Sequence, residues 1–291
     1  MPAIFYPNAP FHSKISIIMI TWLLLAASLL FLGFNRILAL ITLAVTALSA
    51  FITGIITWQV LPIIFSILLL TFAYSRYKTQ PLLRAIIILA LIIIASGLAF
   101  HLLPGFNNLR YLSYTSIGIK SVPFTFYFNA DKAFIPFIFL IFIPTLFVCP
   151  PLKKANKLQW IMLIIAIPAL LLIAVKLGGL AIELHLPHWL PAFILANLFF
   201  VSLAEEALFR GVIQQTLSRY LPPYIALLIA SIIFGLAHIA GGILLVVFAS
   251  LAGIIYGLAW MWSGRLWVST AFHFVLNLTH LLFFTYPFKI A

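Results

Sequence analysis

The chain of 291 residues is 65% hydrophobic and only 7% charged, whereas a soluble domain carries about 25% charged residues. That composition excludes a soluble globular fold and predicts an all-α polytopic transmembrane helical bundle, with about 8–10 spans of about 20 residues each. The net charge of +12 does not indicate nucleic acid, because the basic residues are spread between the apolar runs, as the positive-inside bias distributes them.

In chain order, a short polar-aromatic segment precedes a first span from about Ile15 to Phe34; Lys14 before it resembles a signal peptide, but no small-residue cleavage site stands out. Spans two and three run from about Ile37 to Ile55 and from about Gln59 to Tyr74, divided by a weak break at Thr57-Trp58. SRYKTQ is the first clear loop. The fourth span, from about Pro81 to Leu103, ends at Pro104-Gly105. Residues 105–132, rich in Tyr, Phe, Ser and Asn, read as an interfacial loop. A fifth span, from about Ala133 to Leu152, carries Pro136 and Pro144 and is closed by KKANK. The sixth runs from about Leu158 to Leu180, followed by HLPHWLP with an interfacial Trp189. The seventh, from His188 to Tyr220, is about 50 Å long at 1.5 Å per residue and must tilt or protrude. Pro222-Pro223 open an eighth span to Ala240. Gly241-Gly242 turn into a ninth that ends at Ser263-Gly264, and Arg265 to about Tyr286 form the tenth.

Alternating loops collect Arg36, Arg76, Lys78, Arg84, Lys153, Lys154, Lys157, Arg219 and Arg265 at one side, and Lys14, Arg110, Lys120, Lys132 and Lys289 at the other. The first set marks the cytoplasmic side, with both termini outside. Residues 1–187 hold helices of unassigned role, and 188–286 hold the last four predicted spans. The one cysteine, Cys149, lies between Val148 and Pro150 and reads as inert; it rules out an internal disulfide.

Only 4 acidic residues occur in the chain. Glu205 and Glu206 sit side by side in an apolar run, where an ionisable side chain costs a few kcal/mol and faces a bundle interior or a watery cavity. Glu206 and Arg210 share a helix face at i,i+4. Glu205 points about 100° away and has no opposite charge in local reach. Glu206 is therefore the anchored carboxylate and Glu205 the reactive one.

The remaining polar residues of the last spans read FGLAH (Phe234 to His238) and HFVLN (His273 to Asn277). His273 and Asn277 share one helix face. His238 can reach them only if its helix stops short and the Gly241-Gly242 turn lies at membrane depth, which is tolerated where backbone lines a watery cavity. A desolvated glutamate can act as a general base on water, and His and Asn can hold that water or steady an oxyanion. No metal is favoured; a bound zinc would take Glu205, His238 and His273, and the HExxH of a zincin is absent. Each residue also has a plain structural reading: His and Asn as interhelical hydrogen bonders, and Glu206-Arg210 as scaffold. His12, His101, His185, His188 and His280 lie near span ends or lack carboxylate company. Solvation explains Glu183 and Asp131, which lie near span ends.

The three segments EEALFRG (Glu205 to Gly211), FGLAH and HFVLN, in that order, resemble those of the CAAX protease and bacteriocin-processing (Abi) family, related to type II CAAX prenyl endopeptidases. The aromatic, glycine-rich ninth span also resembles the family, and the likeness covers about 188–286. The resemblance implies an intramembrane endopeptidase in which Glu205 activates water, Glu206 and Arg210 support the site, His238 positions the water, and His273 with Asn277 stabilises the oxyanion. It implies a metal-independent mechanism. The expected partners are the lipid bilayer and a membrane-anchored protein or peptide substrate, such as a C-terminal tail, sorting signal or leader. Short loops suit a prokaryotic inner membrane, where prenylated CAAX proteins are usually lacking. The alternative is a non-catalytic immunity or scaffold protein, or a transporter using Glu205 as a proton site. A transporter should show internal repeats, and none is evident.

Overall fold

The structure, a computed structural model, describes residues 11–290, with side chains from Ile17 onward. The readings of the first ten residues, and those placed on the His12 and Lys14 side chains, lie outside the described residues. Helix α1 (Phe11–Leu32) turns at Asn35, whose side chain accepts the N–H groups of Ile37 and Leu38 at 3.1 Å and so caps α2 (Arg36–Ile52). The break at Thr57-Trp58 is real: a single 3₁₀ turn, Trp58–Val60, leads into α3 (Leu61–Tyr77). Helix α4 (Pro81–Ala99) follows, with proline in its first turn, where the missing N–H is not needed.

Residues 105–132 differ from the expected loop. Strands β1 (Leu109–Thr115) and β2 (Phe124–Phe128) pair antiparallel, with Arg110 opposite Tyr127 and Leu112 opposite Phe126. The hairpin is held by its aromatic side chains: Tyr111 stacks on Phe128 at 5.4 Å, and Phe128 meets Trp22 and Phe200 edge-on or tilted.

The fifth span also differs. Helices α5 (Ala130–Ala133) and α6 (Ile135–Phe142) are short, and Pro144, which has no N–H to donate, follows α6. Ile135, Ile138 and Phe139 are buried in protein, so this segment need not be a membrane-length helix. It still carries the chain between the two ends of the bundle. At one end, Arg36 donates to the Pro144 carbonyl at 2.5 Å, and Val148 bridges to Arg265. At the other, Ser121 bridges to Lys289 and Ile182 to Phe284. Arg36, Lys153 and Arg265 thus remain apart from Arg110, Lys120 and Lys289, as the loop alternation predicts. Cys149 is half-buried, and burial pushes its thiol up, which disfavours the thiolate.

Helix α7 (Lys157–Lys176) opens on a capping box between Asn156 and Gln159. Then come α8 (Leu190–Leu217), α9 (Pro223–Leu236), α10 (Ile243–Ser263) and α11 (Leu266–Phe283). Among the described residues, six helices are long and apolar enough to cross a membrane: α3, α4, α7, α8, α10 and α11. Three shorter apolar helices accompany them: Ile17–Leu32 of α1, α2 and α9. Helix α8 is the axis. Of its most apolar window 61% is buried, against 6% for the helix containing α3. Its Phe200 and Leu203 join the core around Trp22 and Phe139, while Phe209 joins the core around α7, α10 and α11.

Candidate active site

Helix α8 is α-helical at Leu203–Glu206 and π-helical on either side, at Asn197–Ser202 and Ala207–Gln214. Widened turns of this kind are rare and concentrate at functional sites. Between them sits the carboxylate pair. Glu206 and Arg210 have fully buried side chains, and Arg210 Nε donates to Glu206 Oε2 at 3.0 Å, the predicted i,i+4 contact. The other oxygen, Glu206 Oε1, lies 3.0 Å from His273 Nδ1 on α11. One carboxylate therefore engages two side chains, and a buried charge is tolerated only when partnered in this way.

Glu205 is in a different situation. Its side chain keeps 21% of its exposure, and its Oε2 stands 3.9 Å from His273 Nε2. That distance is beyond a direct hydrogen bond. His273 thus presents one ring nitrogen to each carboxylate. A carboxylate can only accept, so Nδ1 carries the proton that bonds Glu206. Tyr256 of α10 stacks on the His273 ring at 4.5 Å and 10°, and Phe234 of α9 meets it edge-on at 5.7 Å. These contacts fix the plane of the imidazole.

Arg210 is held as firmly. Its guanidinium carbon lies 5.6 Å from the Phe234 ring centre, and Nη1 donates to Gln214 Oε1 at 3.4 Å. Gln214 in turn donates to the Gly257 carbonyl of α10 at 3.1 Å. Gly257 gives these side chains their room: a Cβ there would strike Leu227 and stand 2.7 Å from Gln214 Oε1 and 3.2 Å from Arg210 Nη1, so all three side-chain ends would have to shift.

His238 follows the C-terminal end of α9, a helix of 14 residues, or about 21 Å at 1.5 Å per residue. The helix does stop short, and Gly242, with φ +88°, turns the chain into α10. His238 Nδ1 donates to the Phe234 carbonyl at 2.8 Å. In the neutral ring this leaves Nε2 as an acceptor. Its ring is 4.8 Å from that of Phe234, which also borders His273. Phe234 therefore links His238 to the carboxylate cluster; no hydrogen bond joins His238 to either glutamate among the described residues.

Asn277, one turn beyond His273, donates from Nδ2 to Asn197 Oδ1 at 3.2 Å, and Ser202 donates to the same oxygen at 3.2 Å. Asn197, Ser202, Gln214 and Tyr256 are the site residues that sequence reasoning missed. Gln214 had a usable signal, standing four residues after Arg210. Asn197 and Ser202 sit inside the apolar run PAFILANLFFVSLA, which hides them from a hydropathy reading.

Two other readings are corrected. Asp131 and Glu183 are not simply solvated, and His101 and His185 do not lack carboxylates. Asp131 is 2% exposed and lies 2.6 Å from His101 Nδ1. Glu183 lies 3.1 Å from His185 Nε2 and accepts from the Ser121 hydroxyl at 2.6 Å and the Lys120 N–H at 2.9 Å. Both pairs lie at helix ends and at the hairpin, away from Glu205. Among the described residues, no three His, Cys, Asp or Glu side chains converge to hold a metal ion, the set Glu205, His238 and His273 included.

Comparison with known proteins finds one likeness, over the segment that carries this constellation. Residues 187–279 match the family described as type II CAAX prenyl endopeptidase Rce1-like. The match contains all three motif segments and begins at the loop before α8. No curated protein and no solved structure matches the chain.

Proposed function

We propose, from the premise that residues 187–279 form a type II CAAX prenyl endopeptidase-like segment in an integral membrane protein, that the chain is a glutamate-type intramembrane endopeptidase. The observation that carries this reading is the contrast between the paired carboxylates. Glu206 is buried and committed to Arg210 and His273, while Glu205 is partly exposed and has no partner within hydrogen-bond distance among the described residues. A free carboxylate facing an oriented imidazole across 3.9 Å suits a shared water, with hydrogen bonds of about 2.8 Å to each.

In the proposed step, Glu205 takes a proton from water as the oxygen attacks the scissile carbonyl carbon. His238 Nε2 accepts the second water hydrogen and aims the molecule. The carbonyl π pair moves onto oxygen, and the oxyanion is met by N–H donors of His273 and Asn277. For His273 to donate there, Nε2 must carry a proton as well as Nδ1; the oxyanion and Glu206 are then the two negative charges set against Arg210 and His273. Protonated Glu205 then gives its proton to the amide nitrogen as the C–N bond breaks, leaving a carboxylic acid and an amine. The glutamate ends as it began.

The substrate is a membrane-anchored protein or peptide, cleaved at a C-terminal tail, sorting signal or leader, in a prokaryotic inner membrane whose cytoplasmic face carries Arg36, Lys153 and Arg265. Cleavage of a farnesylated CAAX peptide by the purified chain contradicts that choice of substrate. The reaction itself is tested by mass spectrometry of membrane-protein termini from host cells carrying wild type or Glu205→Gln. Gln keeps size and hydrogen bonding but cannot serve as a base. Termini present only with wild type are expected; matching profiles, with the variant present in the membrane, would remove Glu205 as a catalytic base.

A further inference from the structure

Helices α8 and α11 run antiparallel past one another and meet in two polar layers. One is the carboxylate layer at His273; the other is Asn197 with Asn277. Asn197 precedes Glu205 by eight residues. In an unbroken α-helix, at about 100° per residue, eight residues leave two side chains about 80° apart. The turns of Asn197–Ser202 are π-helical, and bonds reaching to i+5 lower the rotation to about 80° per residue. Five such steps and three α steps come to about 700°, within about 20° of two full turns. The widened turn therefore brings Asn197 onto the face of Glu205.

Ser202 gives the same result from a second direction. It stands five residues after Asn197, a spacing that puts two side chains about 140° apart in an α-helix and nearly in line in a π turn. In line they are: Ser202 Oγ donates to Asn197 Oδ1 at 3.2 Å, with both residues buried. The same oxygen accepts Asn277 Nδ2. Asn277 is half-buried, and this is the one hydrogen bond described for its side chain. Its second N–H is left to donate elsewhere.

We infer that Asn197, itself fixed by Ser202, is a positioning residue that sets the orientation of the Asn277 carboxamide, and that the π-helical turn at Asn197–Ser202 exists to make that contact. For its catalytic meaning the inference rests on the proposed hydrolysis: an unheld carboxamide spends only part of its time with an N–H toward the oxyanion, and oriented donors are what such a site supplies.

The test has two readouts. The first needs no activity. In the full chain labelled with nitrogen-15 asparagine in detergent micelles, the Asn277 side-chain NH₂ signal is identified by its loss in Asn277→Ala. It is expected to shift in Asn197→Ala and in Ser202→Ala. It should stay near its wild-type position in Asn197→Asp, which keeps an acceptor oxygen in either protonation state. An unmoved signal in Asn197→Ala overturns the inference, whatever the protein hydrolyses.

The second readout is cleavage of a peptide spanning a terminus that depends on wild type. Asn197→Ala should lower kcat about tenfold with KM nearly unchanged, and Asn197→Asp should restore most of it. The double variant Asn197→Ala/Asn277→Ala should be no slower than Asn277→Ala alone, because residues acting through one group are not additive. Losses that multiply show that Asn197 acts by another route and overturn the inference. If Glu205→Gln cleaves as wild type while the Asn277 signal still answers to Asn197, the glutamate mechanism falls and the positioning contact stands.

Discussion

Replacing Arg210 by Met strands the Glu206 carboxylate in a fully buried position with His273 as its one remaining partner among the described residues. Breaking a buried pair from one side costs about 3–5 kcal/mol, so Arg210→Met is expected to lower the thermal midpoint sharply or to abolish accumulation of folded protein. Glu205→Gln, an isosteric change at a side chain with no direct hydrogen bond among the described residues, should leave the midpoint within a degree or two of wild type. Differential scanning fluorimetry in detergent distinguishes the two. This division was legible in the sequence, because i,i+4 spacing names a partner for Glu206 and none for Glu205. The attachment of His273 to both carboxylates was not legible. It depends on how α11 packs beside α8, and spacing within one helix says nothing about that. The partners of Asp131 and Glu183 escaped for the same reason: His101 is 30 residues from Asp131, and Ser121 is 62 from Glu183.

At the scale of elements, α10 must come close enough to α8 for Gln214 to reach the Gly257 carbonyl. Gly257→Ala inserts a methyl group against Leu227, Gln214 and Arg210. Overpacking of this kind costs about 1–3 kcal/mol, and here the displaced groups include the arginine that holds Glu206. The expected result is a lowered midpoint together with reduced cleavage, read on the same preparation. The long apolar helices were readable from hydropathy within a few residues at each end. The short ones were not, for a physical reason. Segment α5–α6 is buried in protein on its apolar faces, so it never had to satisfy the length rule for lipid-facing helices. The hairpin segments RYLSYT and FTFYF carry the aromatic and β-branched residues of strands, but the same aromatic richness marks an interfacial loop, so composition does not separate the two. The π-helical turns leave no mark on hydropathy at all.

At the scale of the whole molecule, the hairpin end is tied together by Glu183. It joins the β1–β2 connection through Lys120 and Ser121 to the strand-like segment before α8, and Ser121 also accepts the Tyr286 N–H of the C-terminal tail. Burial raises the Glu183 carboxyl, but the bonds from Ser121, Lys120 and His185 outweigh it and hold the group below its ordinary value. A carboxyl depressed in the folded state contributes stability above its unfolded value of about 4.3, and loses it as pH falls through the folded value. Hydrogen exchange of residues 181–186 and 284–290 is therefore expected to speed up as pH falls below about 4.3, after correction for intrinsic rates. In Glu183→Gln the protection should be lower at neutral pH and lack that acid-dependent loss. Equal protection in both proteins across the range would mean that the clasp is not what holds this end closed.

The most direct measurement compares Glu205→Gln with Glu206→Gln, each reconstituted in bilayer nanodiscs and followed for both thermal midpoint and cleavage of a wild-type-dependent terminus. Loss of a general base costs about 10²–10⁴ in rate, so Glu205→Gln should keep the wild-type midpoint and lose cleavage by at least that factor. Glu206→Gln should lose stability as well, because it leaves the buried charge of Arg210 without its carboxylate and weakens the bond to His273. The opposite pattern, with Glu205→Gln active and Glu206→Gln folded but inactive, would contradict the assignment of roles within the pair.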